Sequence, residues 1–213
     1  MTRILTGYTL YWEAMSGAMT VEILLAEMGL AHRTVAVDMA AGEHRQARYL
    51  ALNPSGQVPA LGLPDGEILG ESAAIVIALG ERHPESPLVP GAGSPERSRF
   101  LRWLIYMAAS PYMSFVQFNH PERFLDDRAT HPALVDNARR RILGQFTLLD
   151  QAISGRPFFL EGGISALDFY LYMLVEFFGQ NDRAFAGRDR LARLHHAVAG
   201  REVVRQVRRR HGP

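Results

Sequence analysis

Four short stretches carry residue types at spacings suited to holding a peptide-like molecule. The first is Asn53-Pro54-Ser55-Gly56-Gln57-Val58-Pro59-Ala60-Leu61, which ends in a β-type run. Proline cannot donate to a sheet ladder, so Pro59 at the head of a strand implies an edge, a bulge or a cis bond that turns the Val58 backbone outward. An outward Val58 offers an N–H and a C=O to an extended peptide. A plain turn before a strand is the alternative. The second is Glu71-Ser72, between a short strand and a helix. Unpaired N–H groups at a helix start suit a carboxylate, while Glu71 can meet an ammonium group. Together they fit an α-amino acid head group; a helix cap alone is the other reading. In the third, Ser16-Gly17, a hydroxyl stands where the first helix begins and can serve a bound anion or merely cap. In the fourth, His44 and Arg45 open a weak helix where a second carboxylate of a peptide can end, or they are surface residues.

What the chain lacks narrows the chemistry. It has no cysteine, which excludes disulfides, thiolate metal sites and a cysteine nucleophile of its own. It has no lysine either, so no side chain can form a Schiff base. Thiol or amine chemistry must therefore come from a ligand. The 8 histidines form no ligand set at a recognised spacing, and no metal is expected.

These residues must be positioned by elements of two kinds. Tyr8 to His83 alternates β-type and helical runs: a strand at Tyr8–Trp12, a helix from Gly17 to Met28 closed by Gly29, and a strand at 32–37. A weak helix at Gly42–Leu52 follows, then two short strands around Pro64-Asp65-Gly66 that pair as a hairpin, and an apolar helix from Ser72. The order is β-α-β-α-β-β-α. The Pro/Gly/Ser-rich segment 84–95 reads as a linker between a first domain, 1–83, and an all-helical second, 96–213. In the latter, helices are expected at Arg97–Met113, Pro132–Ile153, Ser165–Phe178 and twice within Asp189–Arg210. Residues 1–7 read as a short extension.

At 213 residues and 47% hydrophobic, the chain can fill a substantial core. No apolar run approaches the ~18–20 residues of a membrane span, and no cleavable leader pattern opens the chain. A cytoplasmic protein without a membrane partner is expected. The net charge of +1 hides a gradient: residues 1–96 carry 5 Arg against 11 acids, and 187–213 carry 8 Arg against 2 acids. The Arg201, Arg205, Arg208, Arg209, Arg210 tail is read as a helix whose cations complement its dipole, and no nucleic-acid partner is expected.

The combination resembles the glutathione transferase family. The carrying residues are Ser16-Gly17, the helix ending Glu27-Met28-Gly29-Leu30, Gly42-Glu43-His44, Asn53-Pro54, Gln57-Val58-Pro59-Ala60-Leu61 and Glu71-Ser72. Beyond the linker, Arg102-Trp103-Leu104, Pro121-Glu122-Arg123-Phe124, Pro157-Phe158-Phe159-Leu160 and Ser165-Ala166-Leu167-Asp168 are similar to bacterial members. The resemblance implies a thioredoxin-like N-terminal domain followed by an all-helical C-terminal domain, a homodimer, and a theta- or zeta-like serine type. It implies glutathione as co-substrate, held by His44, Gln57, Val58, Pro59, Glu71 and Ser72, with Ser16 as the hydroxyl that stabilises the thiolate. Tyr8 and Tyr11 rival Ser16 in that role. The implied reaction joins the thiolate to a small, mostly apolar electrophile lodged between the halves against Tyr106, Ser110 and Met113. The alternatives are a non-catalytic or regulatory binding protein and a glutathione-dependent isomerase. The zeta-type Ser-Ser-Cys motif falls on Met15-Ser16-Gly17, where its middle residue alone survives, and Thr20 and Glu22 replace the basic residues usual in that helix. Ser165–Asp168 reads as a capping box that serves folding.

Overall fold

The computed structural model describes residues 7–212, so all of the expected N-terminal extension but Gly7 lies outside it. Two compact units form: one runs up to Gly91 and takes in the segment from Gly200 onward, and the other is Ala92–Ala199.

In the first unit, β1 (Tyr8–Trp12) leads to α1 (Ala18–Glu27) and β2 (His32–Ala36). The helix expected over Gly42–Leu52 is reduced to a 3₁₀ turn at Glu43–Arg45 and α2 (Ala47–Leu50). The turn opens on Gly42 at φ 77°, a left-handed conformation that suits glycine. Then come β3 (Ala60–Gly62), β4 (Ile68–Leu69) and α3 (Ser72–Arg82). The sheet order is β2-β1-β3-β4. β1 and β2 are parallel, with Tyr8 opposite His32 and Trp12 opposite Ala36. β3 runs against β1, with Tyr11 opposite Ala60, and the β3–β4 hairpin is formed as expected.

This topology decides where the four stretches lie. Strands β1, β2 and β4 all point one way, so the segments that follow them leave at one end of the sheet. β3 is reversed, so the segment that enters it, Gln57-Val58-Pro59, arrives at that same end. Residues 13–17, 37–46, 53–59 and 70–72 therefore share one edge.

From Ala18 to Leu25 every residue of α1 is buried, Thr20 and Glu22 included, because α1 is covered on several sides. One cover is α10 (Glu202–Arg210), which the sequence reading assigned to the helical domain. Glu27 receives a two-pronged contact from Arg201 (Nε and Nη2, both 2.6 Å), and Glu22 pairs with Arg210 and His211. The charge gradient read from the sequence is thus partly neutralised within one unit. The expected linker also divides differently. Leu88 and Val89 are buried in the first unit, and Val89 packs so closely on Gly80 that a Cβ there would lie 2.3 Å from its Cγ1.

In the second unit the helix expected over Arg97–Met113 is two, α4 (Arg97–Ala109) and α5 (Pro111–Asn119). Pro111 has no N–H to continue the ladder and its ring crowds the preceding turn, so it opens a new helix. α6 (His131–Ala152) and α7 (Ala166–Phe178) match their periodicity; α8 (Asn181–Phe185) was not anticipated, and α9 is Asp189–Ala199. The core holds Phe100, Trp103, Phe146, Phe159 and nearly all of α7. The capping box is present: the main-chain N–H of Ser165 donates to Asp168 Oδ2 at 2.7 Å, and that of Phe159 to Oδ1 at 2.7 Å. Burial pushes the Asp168 carboxyl up to about 6, against these hydrogen bonds.

Candidate functional site

The site is built on the shared edge of the sheet. Val58–Pro59 is a cis peptide bond, one of the three arrangements that Pro59 allowed. The carbonyl before it, that of Gln57, is held twice: the Tyr49 hydroxyl donates to it at 2.6 Å and Asn53 Nδ2 at 2.8 Å. Burial raises the Tyr49 phenol and keeps it a donor. Asn53 in turn accepts from Ser55 Oγ at 3.0 Å and lies against Gly70, where an added Cβ would be 3.5 Å from Asn53 Oδ1. The loop before β3 and the turn into α3 are thereby fixed side by side. With Gln57 anchored, the Val58 main-chain N–H and C=O take no partner among the described residues. Its side chain packs with Val37, Tyr49, Tyr11 and Met39.

Glu71 stands at φ 60° immediately before α3, and Met15 at φ 51° two residues before Gly17, the cap of α1. These are the only non-glycine residues with positive φ among those described. Such backbone costs of order 1–3 kcal/mol and concentrates at ligand sites. The exposed Glu71 carboxylate has no partner among the described residues, and Ser72 begins the helix beside it. His44 lies next to the same loop: an added Cβ at Gly56 would be 3.2 Å from its carbonyl oxygen. His44 Nε2 accepts from Arg45 Nε at 3.2 Å, which leaves the proton on Nδ1, a buried atom with no partner among the described residues.

The three hydroxyls considered for the thiol role have separate fates. Ser16 Oγ donates to the Glu13 carbonyl at 2.7 Å and accepts from the Ala18 N–H at 3.3 Å, so it ties the loop to the start of α1. Tyr8 lies at the opposite end of β1, where its hydroxyl pairs with His83 Nε2 at 2.7 Å and burial raises its pKa. That distance along the strand removes Tyr8 from the cluster. Tyr11 packs beside Val58, edge to face with Tyr49 at 6.1 Å, and its hydroxyl has no partner among the described residues.

The scaffold residues went unread in the sequence. Glu13 is a hub: its carbonyl takes Ser16, and its Oε1 accepts the Met39 N–H at 3.1 Å, joining the loops after β1 and β2. Asn53 was visible only as the start of the Asn53–Leu61 stretch and as part of the family resemblance, with no role of its own, and Tyr49 gave no signal.

In the helical unit, Tyr106, Ser110 and Met113 cluster about the α4–α5 break. Tyr106 meets the Trp103 ring edge-on at 5.5 Å, and burial raises its pKa against a hydrogen bond with Ser110. Ser110 Oγ accepts from Gln145 Nε2 at 3.1 Å. Met113 is 47% exposed. The neighbouring Phe115 and Phe118 are instead committed to rings of α6 and α7, Phe146 and Phe178. Among the described residues no group of histidine, aspartate and glutamate is arranged to hold a metal ion, and no helix is long and apolar enough to cross a membrane.

The family model described as the glutathione S-transferase N-terminal domain matches residues 14–82. A maleylacetoacetate isomerase of Pseudomonas aeruginosa is 48% identical over 71 residues, 32% of this chain and 34% of that one. The uncharacterized GST-like protein YncG of Escherichia coli K12 is 32% identical over 138 residues, 63% of this chain and 65% of that one. The chain thus matches less than two thirds of the length of either relative. A solved sphingomonad glutathione S-transferase complexed with glutathione superposes with a TM-score of 0.79 at 28% identity, covering 96% of this chain and 98% of that one.

Proposed function

Because the chain belongs to the glutathione transferase family, we propose that the shared edge of its sheet binds glutathione and activates the thiol for attack on a small, mostly apolar electrophile. The observation that carries the reading is the unpartnered Val58 main chain, presented by the Tyr49 and Asn53 clamp on Gln57. A cysteinyl residue laid along Val58 pairs with both of its polar groups, as a strand added to an edge does. The γ-glutamyl carboxylate takes the N–H groups at the start of α3 with Ser72, and its ammonium takes the free Glu71 carboxylate. The Nδ1–H of His44 then supplies a donor for the glycyl carboxylate and loses its unsatisfied state.

A free thiol near pKa 8.5 is a few per cent ionised at neutral pH; lowering it by about two units stabilises the thiolate by about 2.7 kcal/mol. One charge-assisted hydrogen bond contributes about 1.5–3 kcal/mol, and the start of α1 adds its dipole. Ser16 is assigned the hydroxyl, which it delivers by turning from the Glu13 carbonyl toward the sulfur. The commitment of that proton in the present arrangement favours a second donor, Tyr11, beside Val58 and unpartnered. The acceptor pocket is assigned to Tyr106, Ser110 and Met113, and the working form to a homodimer in the cytoplasm; sedimentation as a concentration-independent 23.8 kDa species would reject the dimer. A panel of aryl halides and unsaturated carbonyl compounds tests the reaction: the expected product is the glutathione adduct. Glutathione binding without any adduct supports the regulatory alternative, and cis–trans isomerisation of a maleyl substrate without adduct supports the isomerase.

A further inference from the structure

Glu22 is 1% exposed in the middle of α1, where an unpaired carboxylate is costly. Burial acts to raise its pKa, but hydrogen bonds from His211 and Arg210 overcome this and hold it below the ordinary range. Arg210 Nε donates to Oε1 at 2.7 Å, and His211 Nε2 donates to Oε2 at 3.0 Å. At the other end of α10, Arg201 grips Glu27. α10 is thus held antiparallel to α1 by contacts at both of its own ends, to the middle and the last residue of α1.

The two clamps differ in what lies beyond them. Glu27 is the last residue of α1, at the end away from Ser16 and the loop before it. His211, fully buried, also lays its ring against Trp12, with centroids 4.8 Å apart and planes at 55°. Trp12 ends β1; its carbonyl accepts the Val37 N–H at 2.8 Å, and the next residue is the hub Glu13, which holds both Ser16 and Met39. His211 Nδ1 has no hydrogen-bond partner among the described residues; the ring is held by its hydrogen bond to Glu22 and lies against Trp12.

We propose that His211 is a positioning residue: through its ring contact with Trp12 it holds the Glu13–Ser16 loop, and so sets the acidity of the thiol bound there. The second half of this statement rests on the glutathione reading; the first does not. His211→Gln keeps a donor for Glu22 and loses the ring, whereas His211→Phe keeps the ring and loses the donor. Arg201→Ala loosens the remote clamp and is the control. Amide hydrogen exchange of residues 13–19 without ligand is expected to quicken about tenfold in His211→Gln, and to stay within about threefold of wild type in His211→Phe and Arg201→Ala. With glutathione bound, thiolate absorbance against pH is expected to shift up by about half a unit in His211→Gln alone, with glutathione affinity within about threefold. Unchanged exchange in His211→Gln, or equal quickening in Arg201→Ala, overturns the loop contact. A shifted loop with an unshifted thiol overturns the link to acidity. Absence of glutathione binding in wild type overturns the proposed function and with it the link to acidity, while the exchange arm still decides the loop contact.

Discussion

At one end of the β2-β1-β3-β4 sheet, the Tyr8 hydroxyl meets His83 Nε2, His83 Nδ1 lies 3.4 Å from Glu85, and Arg82 bonds Asp65 at 2.6 Å. The opposite end holds a similar set: Tyr11, His44 and Glu71. There the Tyr11 hydroxyl, His44 Nδ1, the Glu71 carboxylate and the Val58 main chain have no partner among the described residues. Similar side chains close on one another at the first end and are held apart, on strained or clamped backbone, at the second. Of these, His44 Nδ1 is buried, where an unpaired polar atom costs about 1–3 kcal/mol, whereas the Glu71 carboxylate is open to solvent; the proposed function has a ligand complete both. Residue type alone does not make the distinction.

The comparison is broken most directly at Glu71 and Ser72. Glu71→Gln and Ser72→Ala are each expected to weaken glutathione binding by about 1.5–3 kcal/mol, roughly 10- to 150-fold, with little loss of melting temperature. Calorimetric titration checks this, and unchanged affinity in both variants removes the pair from the site. Next in size, Ser16→Ala should lower turnover at neutral pH about tenfold, leave glutathione affinity nearly intact, and recover as the pH rises toward the free thiol value. Because Ser16 Oγ also serves the Ala18 N–H, a small stability loss of about 0.5–1 kcal/mol should accompany it.

How much of this was readable before the fold was known follows from sequence distance. The cap at Ser165, the turn before β3 and the helix starts at residues 16 and 72 are local, written in residues a few positions apart. Pro111 was equally visible, but an apolar repeat running past it hid the break. The pairings that make the site were out of reach because their partners are remote or lack a signature. Tyr49 meets Gln57 only after α2 turns it inward, Glu13 meets Met39 across 26 residues, and Glu22 meets His211 across 189. The placement of α10 in the first unit was lost for the same reason, since its charge suggested a cap for its own dipole and gave no sign of Glu22.

At the paired end the effects should be smaller and confined to stability. Tyr8→Phe leaves His83 Nε2 without its donor and is expected to cost about 0.5–1.5 kcal/mol in chemical denaturation, with glutathione affinity unchanged. A loss of affinity there would erase the contrast between the two ends. Smallest of all is Asp65→Asn. The hydrogen bond from Arg82 holds the Asp65 carboxyl below its ordinary 3.8, so its contribution is present above that pH and lost as the pH falls through the lower folded value. The pair is exposed and screened, so the variant should melt within about a degree of wild type and show no difference at high salt.

The central property of the proposed function is a glutathione thiol made acidic at the unpaired end of the sheet. Thiolate absorbance of the complex against pH measures it in wild type, Ser16→Ala and Tyr11→Phe. Wild type should titrate about two units below the free thiol value of about 8.5, and the variant that lacks the working hydroxyl should return toward it. A wild-type complex that titrates at the free value would contradict the account.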